Sequence, residues 1–146
     1  MTPYLDGGFL LTLLVKTGGT ATANRLLRGQ APFDINFLHQ LQAENLLIEL
    51  QHAESTGRQV AGSEGMRLWR HYLSEGIFQL TPADWESGFR HAIQWNSQSV
   101  GAPALPLLIL HPALAFTAGA REFLSFDPRS RAVAKAAGLR ILPERL

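Results

Sequence analysis

Apolar and polar positions along the chain switch repeatedly between short extended runs and stripes of helical period. Thr2–Leu5 predicts a first strand, and Phe9–Lys16 a short apolar helix ending at Gly18-Gly19. Thr20–Arg28 predicts a second helix, with Ala21, Leu26 and Leu27 on one side and Arg25 and Arg28 outward, stopped by Gly29. Ala31–Ile35 predicts a strand, and Asn36 a cap for a helix from Phe37 to about His52 with Leu38, Leu41, Leu46, Leu47 and Leu50 inward. Gln51 to Gly65 is polar and glycine-bearing, a loop or the frayed start of a helix. Met66–Glu75 is amphipathic, with Leu68, Trp69, Tyr72 and Leu73 inward.

Ile77–Leu80 predicts a strand, and Thr81-Pro82-Ala83-Asp84 a helix start with Thr81 as cap and Pro82 at the first helical position, running to about Ser97. A turn at Gly101–Pro106 precedes an apolar helix over Leu107–Ala118. Glu122–Phe126 predicts a buried strand, Asp127-Pro128 a last helix to Ala137 stopped by Gly138, and Leu139–Leu142 a closing strand. Strands alternating with helices predict an α/β fold, a mostly parallel sheet with helices on both faces. No internal repeat, linker or low-complexity run interrupts the pattern, so residues 1–146 are expected to form one domain.

Composition narrows the chemistry. Hydrophobic residues make up 46% and charged residues 17%, as in a globular protein with somewhat few charges. The absence of cysteine excludes disulfides, thiolate zinc sites and a cysteine nucleophile, and suits a cytoplasmic protein. A net charge of +1 creates no global field for nucleic acid, but Arg121–Leu146 holds six Lys or Arg against three acids. No signal peptide is expected, because Asp6 interrupts the start and no basic stretch precedes the apolar run. Ala102–Ala120 is uncharged and long enough to span a bilayer, yet Pro103, Pro106, Pro112 and His111 break it, so a buried core helix is expected.

Two acids stand where a strand hands over to a helix, the usual place for functional groups in an open α/β sheet. Asp6 precedes Gly7-Gly8, which let the backbone turn. Asp127 precedes Pro128 and is also an ordinary helix N-cap; it can serve as cap, as ligand, or as both. Arg129, Arg131 and Lys135 follow it and are candidates for contact with a phosphate backbone, against the plainer reading of a solvated helix face. His111 lies in the apolar helix and reads as a core histidine. The other histidines have no zinc spacing, the three tryptophans read as core or interface, and no phosphate loop or nucleophile elbow appears.

With both acids placed, the chain resembles the PIN-domain family over nearly its whole length. Tyr4-Leu5-Asp6-Gly7-Gly8-Phe9-Leu10 is similar to the family's opening strand and first acid. Leu38 through Leu47 is similar to its acid-bearing third helix. Arg121-Glu122-Phe123-Leu124-Ser125-Phe126-Asp127 with Arg131 through Leu139 is similar to its closing strand, acid and helix. The resemblance implies a PIN-like three-layer α/β/α domain and a Mg²⁺- or Mn²⁺-dependent endoribonuclease, often the toxin of a toxin–antitoxin pair and frequently a homodimer. Such a metal is held by converging carboxylates and activates a water beside the scissile phosphate.

Two of the four acids the family supplies are absent. The third-helix position falls at Gln42, and the late-helix position at Leu108 when counted from His111, or at Pro106 when counted from Gly101. Glu44 is turned about 200° from Gln42 along the helix, and Glu49 lies about 10 Å further on. Gly8 also stands where the family often has Ser or Thr. Asp6 and Asp127 remain as catalytic and metal-binding candidates, with Gln42 in place of the third, so any Mg²⁺ or Mn²⁺ is expected to bind weakly. The resulting expectation is a PIN-like protein with a degenerate site, weakly active or non-catalytic, that acts by binding RNA or a protein such as an antitoxin. The alternative is an active single-stranded RNA endonuclease.

Overall fold

The computed structural model describes residues 2–55, 61–98 and 106–145. It is a mixed α/β structure in which every strand pairing is parallel, and the strands fall into a sheet of three and a sheet of two. The chain divides into two compact units, Met1–Asp6 with Pro82–Leu146, and Gly7–Thr81.

The first unit contains β1 (Tyr4–Leu5), β4 (Glu122–Leu124) and β5 (Arg140–Leu142). β4 is central, with Tyr4 opposite Phe123, Leu5 opposite Leu124, and Leu124 opposite Leu142. Phe123 and Leu124 of β4 are fully buried, as a central strand covered on both sides requires, and Leu5 beside them is buried as well. Three helices belong to this unit: α5 (Trp85–Gln98), α6 (Pro106–Thr117) and α7 (Pro128–Ala136). α6 buries every residue from Ile109 to Ala115. Gly88 of α5 is buried against it, and a Cβ there would fall 2.5 Å from Leu114 Cδ2, so a larger residue would require the Leu114 side chain to shift. His111 is a core histidine, buried, with Nδ1 3.1 Å from the Tyr4 hydroxyl, while the Tyr4 ring stacks on Phe123.

The second unit runs α1 (Gly7–Leu14), α2 (Thr20–Leu27), β2 (Phe33–Ile35), α3 (Phe37–Ser55), α4 (Ala61–Ser74) and β3 (Phe78–Leu80). Its core gathers Phe33, Phe78 and Trp69. Asn36 caps α3 as expected, its Oδ1 accepting from the Leu38 and His39 amides. The inward stripe of α3 differs from the expected one: His39, Ala43 and Leu47 are buried, whereas Leu41 is 67% exposed. Leucines occur around most of this helix, so hydrophobicity alone does not choose the buried face. Leu73 of α4 is exposed as well.

Two helix starts and one helix end refine the expectation. Residues 51–55 complete α3, past the expected end near His52, while 61–65 open α4, the helix-start alternative for that stretch, where Glu54 accepts from the Gly62 and Ser63 amides; residues 56–60 lie outside the described residues. Ser63 and these amides hold the Glu54 carboxyl below its ordinary range. α5 begins at Trp85 with Asp84 accepting from the Ser87 amide, and Thr81 extends the β2–β3 ladder by donating to Ile35 O. The turn expected at Gly101–Pro106 lies outside the described residues except for Pro106, which opens α6. Among the described residues no helix is long and apolar enough to cross a membrane.

Candidate functional site

β1 and β4 are neighbours and run parallel, so the acids that follow them stand at the same end of the sheet. Asp6 continues the ladder one residue beyond β1, its amide donating to Leu124 O at 3.0 Å, and it is only 4% exposed. Opposite it the chain leaves β4 through Ser125, which is fully buried and whose amide donates to Leu142 O. The Ser125 hydroxyl then accepts from the Asp127 amide at 3.1 Å, turning the chain into α7.

Asp127 is the N-cap of α7. Its Oδ1 accepts from the Arg129 amide at 2.8 Å and the Ser130 amide at 3.1 Å, satisfying two helix donors that have no partner inside the helix. The Arg129 guanidinium adds Nε to Oδ1 at 3.4 Å and Nη2 to Oδ2 at 3.1 Å. Burial pushes the Asp127 carboxyl upward, but the Arg129 and Ser130 hydrogen bonds and the Arg129 charge together outweigh it. The net position is below the ordinary carboxylate range.

The three candidate phosphate-binding cations divide. Arg129 is paired with Asp127. Arg131 donates to Ser125 O and Pro143 O, both at 2.8 Å, and so ties the β4–α7 turn to the segment after β5. Burial lowers the Arg131 guanidinium from its ordinary range. Lys135 is exposed. Arg131 is thus part of the scaffold, and Ser125 is its companion; the signal for Ser125 was a hydroxyl two residues before a capping acid.

The remaining candidates lie elsewhere in sequence and element. Leu108 is half-buried on α6. Gln42 belongs to the other unit, where its carboxamide lies over Gly7: a Cβ at Gly7 would come 2.0 Å from Gln42 Oε1. That same unit carries a groove of about 520 Å³ between the end of α1, α2 and α4, bordered by Leu14, Ala21, Ala61, Leu68 and Tyr72 with Lys16 and Glu64.

A divalent ion of the kind the resemblance implies needs several oxygen ligands, usually carboxylates. The residues at the strand ends do not fit it well. Asp127 is engaged by two amides and a guanidinium, and a cation placed there would sit beside the Arg129 charge. No family model, curated protein or solved structure matches the chain.

Proposed function

We propose that the chain is a PIN-like α/β/α domain whose acidic site has eroded, and that it acts by binding a partner. One observation carries this reading: the Asp127 carboxylate is spent on capping α7 and on Arg129. An acid so engaged is a weak metal ligand, and the replacements Gln42 and Leu108 bring no charge to offset that. Protein is the favoured partner over RNA. Two of the three cations that would meet a phosphate backbone have acceptors within the chain, and the groove between α1, α2 and α4 has the mixed apolar and charged border that suits an amphipathic segment. An antitoxin-like protein is such a partner, and a homodimer is the assembly the resemblance implies.

The adjacency of the β1 and β4 ends favours a second reading, an active Mg²⁺- or Mn²⁺-dependent ribonuclease working with fewer ligands than usual. Incubating the wild type with single-stranded RNA and Mn²⁺ beside Asp6→Asn separates the two. The expected result is no cleavage above that of the variant. Cleavage by the wild type that disappears in Asp6→Asn would overturn the non-catalytic reading.

A further inference from the structure

α7 begins against the electrostatics of its own backbone. The N-terminus of a helix carries partial positive charge and favours acids in the first turn. Here the first turn holds no acid, and Arg129 and Arg131 occupy positions 129 and 131 of a helix opening at Pro128. Each arginine has a specific acceptor that offsets the misplacement. For Arg131 it is a pair of carbonyl oxygens, Ser125 O and Pro143 O. For Arg129 it is the Asp127 carboxylate, gripped through Nε and Nη2.

A carboxylate offers about four lone-pair positions, two on each oxygen. At Asp127 two amides fixed by the helix and the guanidinium Nε meet Oδ1, while Nη2 meets Oδ2 and leaves it one position open. We infer that the Arg129 guanidinium is the resident cation of the β4 strand end, and that its charge on Asp127 opposes the binding of a divalent metal there. The inference rests on the eroded-site reading and deepens it by naming the group that replaces the metal. An arriving cation has to displace a charge tethered two residues away, whose local concentration is far above that of a free ion, or to share the carboxylate with it against like-charge repulsion. The lost acids remove ligands; the Arg129 charge weakens one that remains.

Calorimetric titration with Mn²⁺ tests this on the wild type, Arg129→Gln, Arg129→Lys, Arg129→Gln combined with Asp127→Asn, and Asp6→Asn. Arg129 is exposed, and its glutamine variant is expected to keep the wild-type circular dichroism spectrum. The expected result is a gain in Mn²⁺ affinity of about tenfold or more in Arg129→Gln, the factor set by removing one nearby positive charge. The gain should vanish in the double variant, while Arg129→Lys, which keeps the charge, stays near the wild type. Equal affinities in the wild type and Arg129→Gln, including no binding by either, would overturn the role of Arg129 and leave the eroded-site reading intact. Micromolar binding by the wild type that is lost in Asp6→Asn would overturn both.

Discussion

The two acid-bearing strand ends of the three-stranded sheet share a backbone rung and differ in how far the acid is buried. At the end of β1 the Asp6 amide adds one more rung to the ladder on Leu124, and the residue is buried. At the end of β4 the Ser125 amide adds a rung on Leu142, and side chains then shape the turn into α7. Ser125, Asp127 and Arg131 bond to backbone groups of the turn, and the Asp127 side chain is 28% exposed. An acid at a strand end is therefore a statement about position alone. What its oxygens are bonded to decides whether it is available to a ligand, and at Asp127 they already serve the helix.

The side-chain bonds of the β4 turn predict that it is sensitive to truncation, and Arg131→Ala should show it most. Removing the guanidinium leaves Ser125 O and Pro143 O without their charged donor, at a cost of about 2–3 kcal/mol. Urea unfolding monitored by circular dichroism reads the loss. A change below about 0.5 kcal/mol would mean that the backbone rungs alone hold this end.

Asp127 comes next. Asp127→Ala removes the cap and should cost about 1 kcal/mol, whereas Asp127→Asn keeps an oxygen for the two amides and should cost less. The pH dependence has a definite sign. The folded carboxyl lies below its unfolded value, so the wild type binds fewer protons folded than unfolded as the pH falls. Its contribution is complete above the unfolded value of about 4 and is lost as the pH drops through the folded one. Unfolding free energies of the wild type and Asp127→Asn should converge over that interval. Parallel curves would mean that α7 uses the oxygen of Asp127 and not its charge.

The sequence made the alternation of strands and helices legible, together with the Asn36 and Asp127 caps and the stop at Gly138, whose φ is +85°. Each of these is decided by neighbours within a few residues. The misplaced start of α5 shows where such signals fail. Thr81 was the expected cap, but Thr81 is drawn into the ladder by Ile35, 46 residues away, and Asp84 caps the helix instead. The candidate site divides in the same way. Two strand-acid-helix patterns placed Asp6 and Asp127, and β1–β4 pairing brought them to one sheet end. The roles of Arg129 and Arg131 were not legible, since basic residues after a strand-end acid look alike until their acceptors are known. One of those acceptors, Pro143 O, is 12 residues on.

The smallest effect concerns two buried serines on either side of Asp127, and it sharpens the comparison most finely. The Ser125 hydroxyl accepts from the Asp127 amide, so Ser125→Ala leaves a half-buried N–H without its acceptor and should cost about 1 kcal/mol. The Ser130 hydroxyl is equally buried yet has no hydrogen-bond partner among the described residues. A buried hydroxyl without a partner is itself a desolvation cost, so Ser130→Ala should be neutral or stabilising, within about 0.5 kcal/mol. The same unfolding measurement on both variants separates a side chain that builds the turn from one that merely fills space beneath it. If Ser130→Ala instead costs as much as Ser125→Ala, an ordered water is bonded to that hydroxyl. The side-chain network at the β4 end would then extend into the first turn of α7.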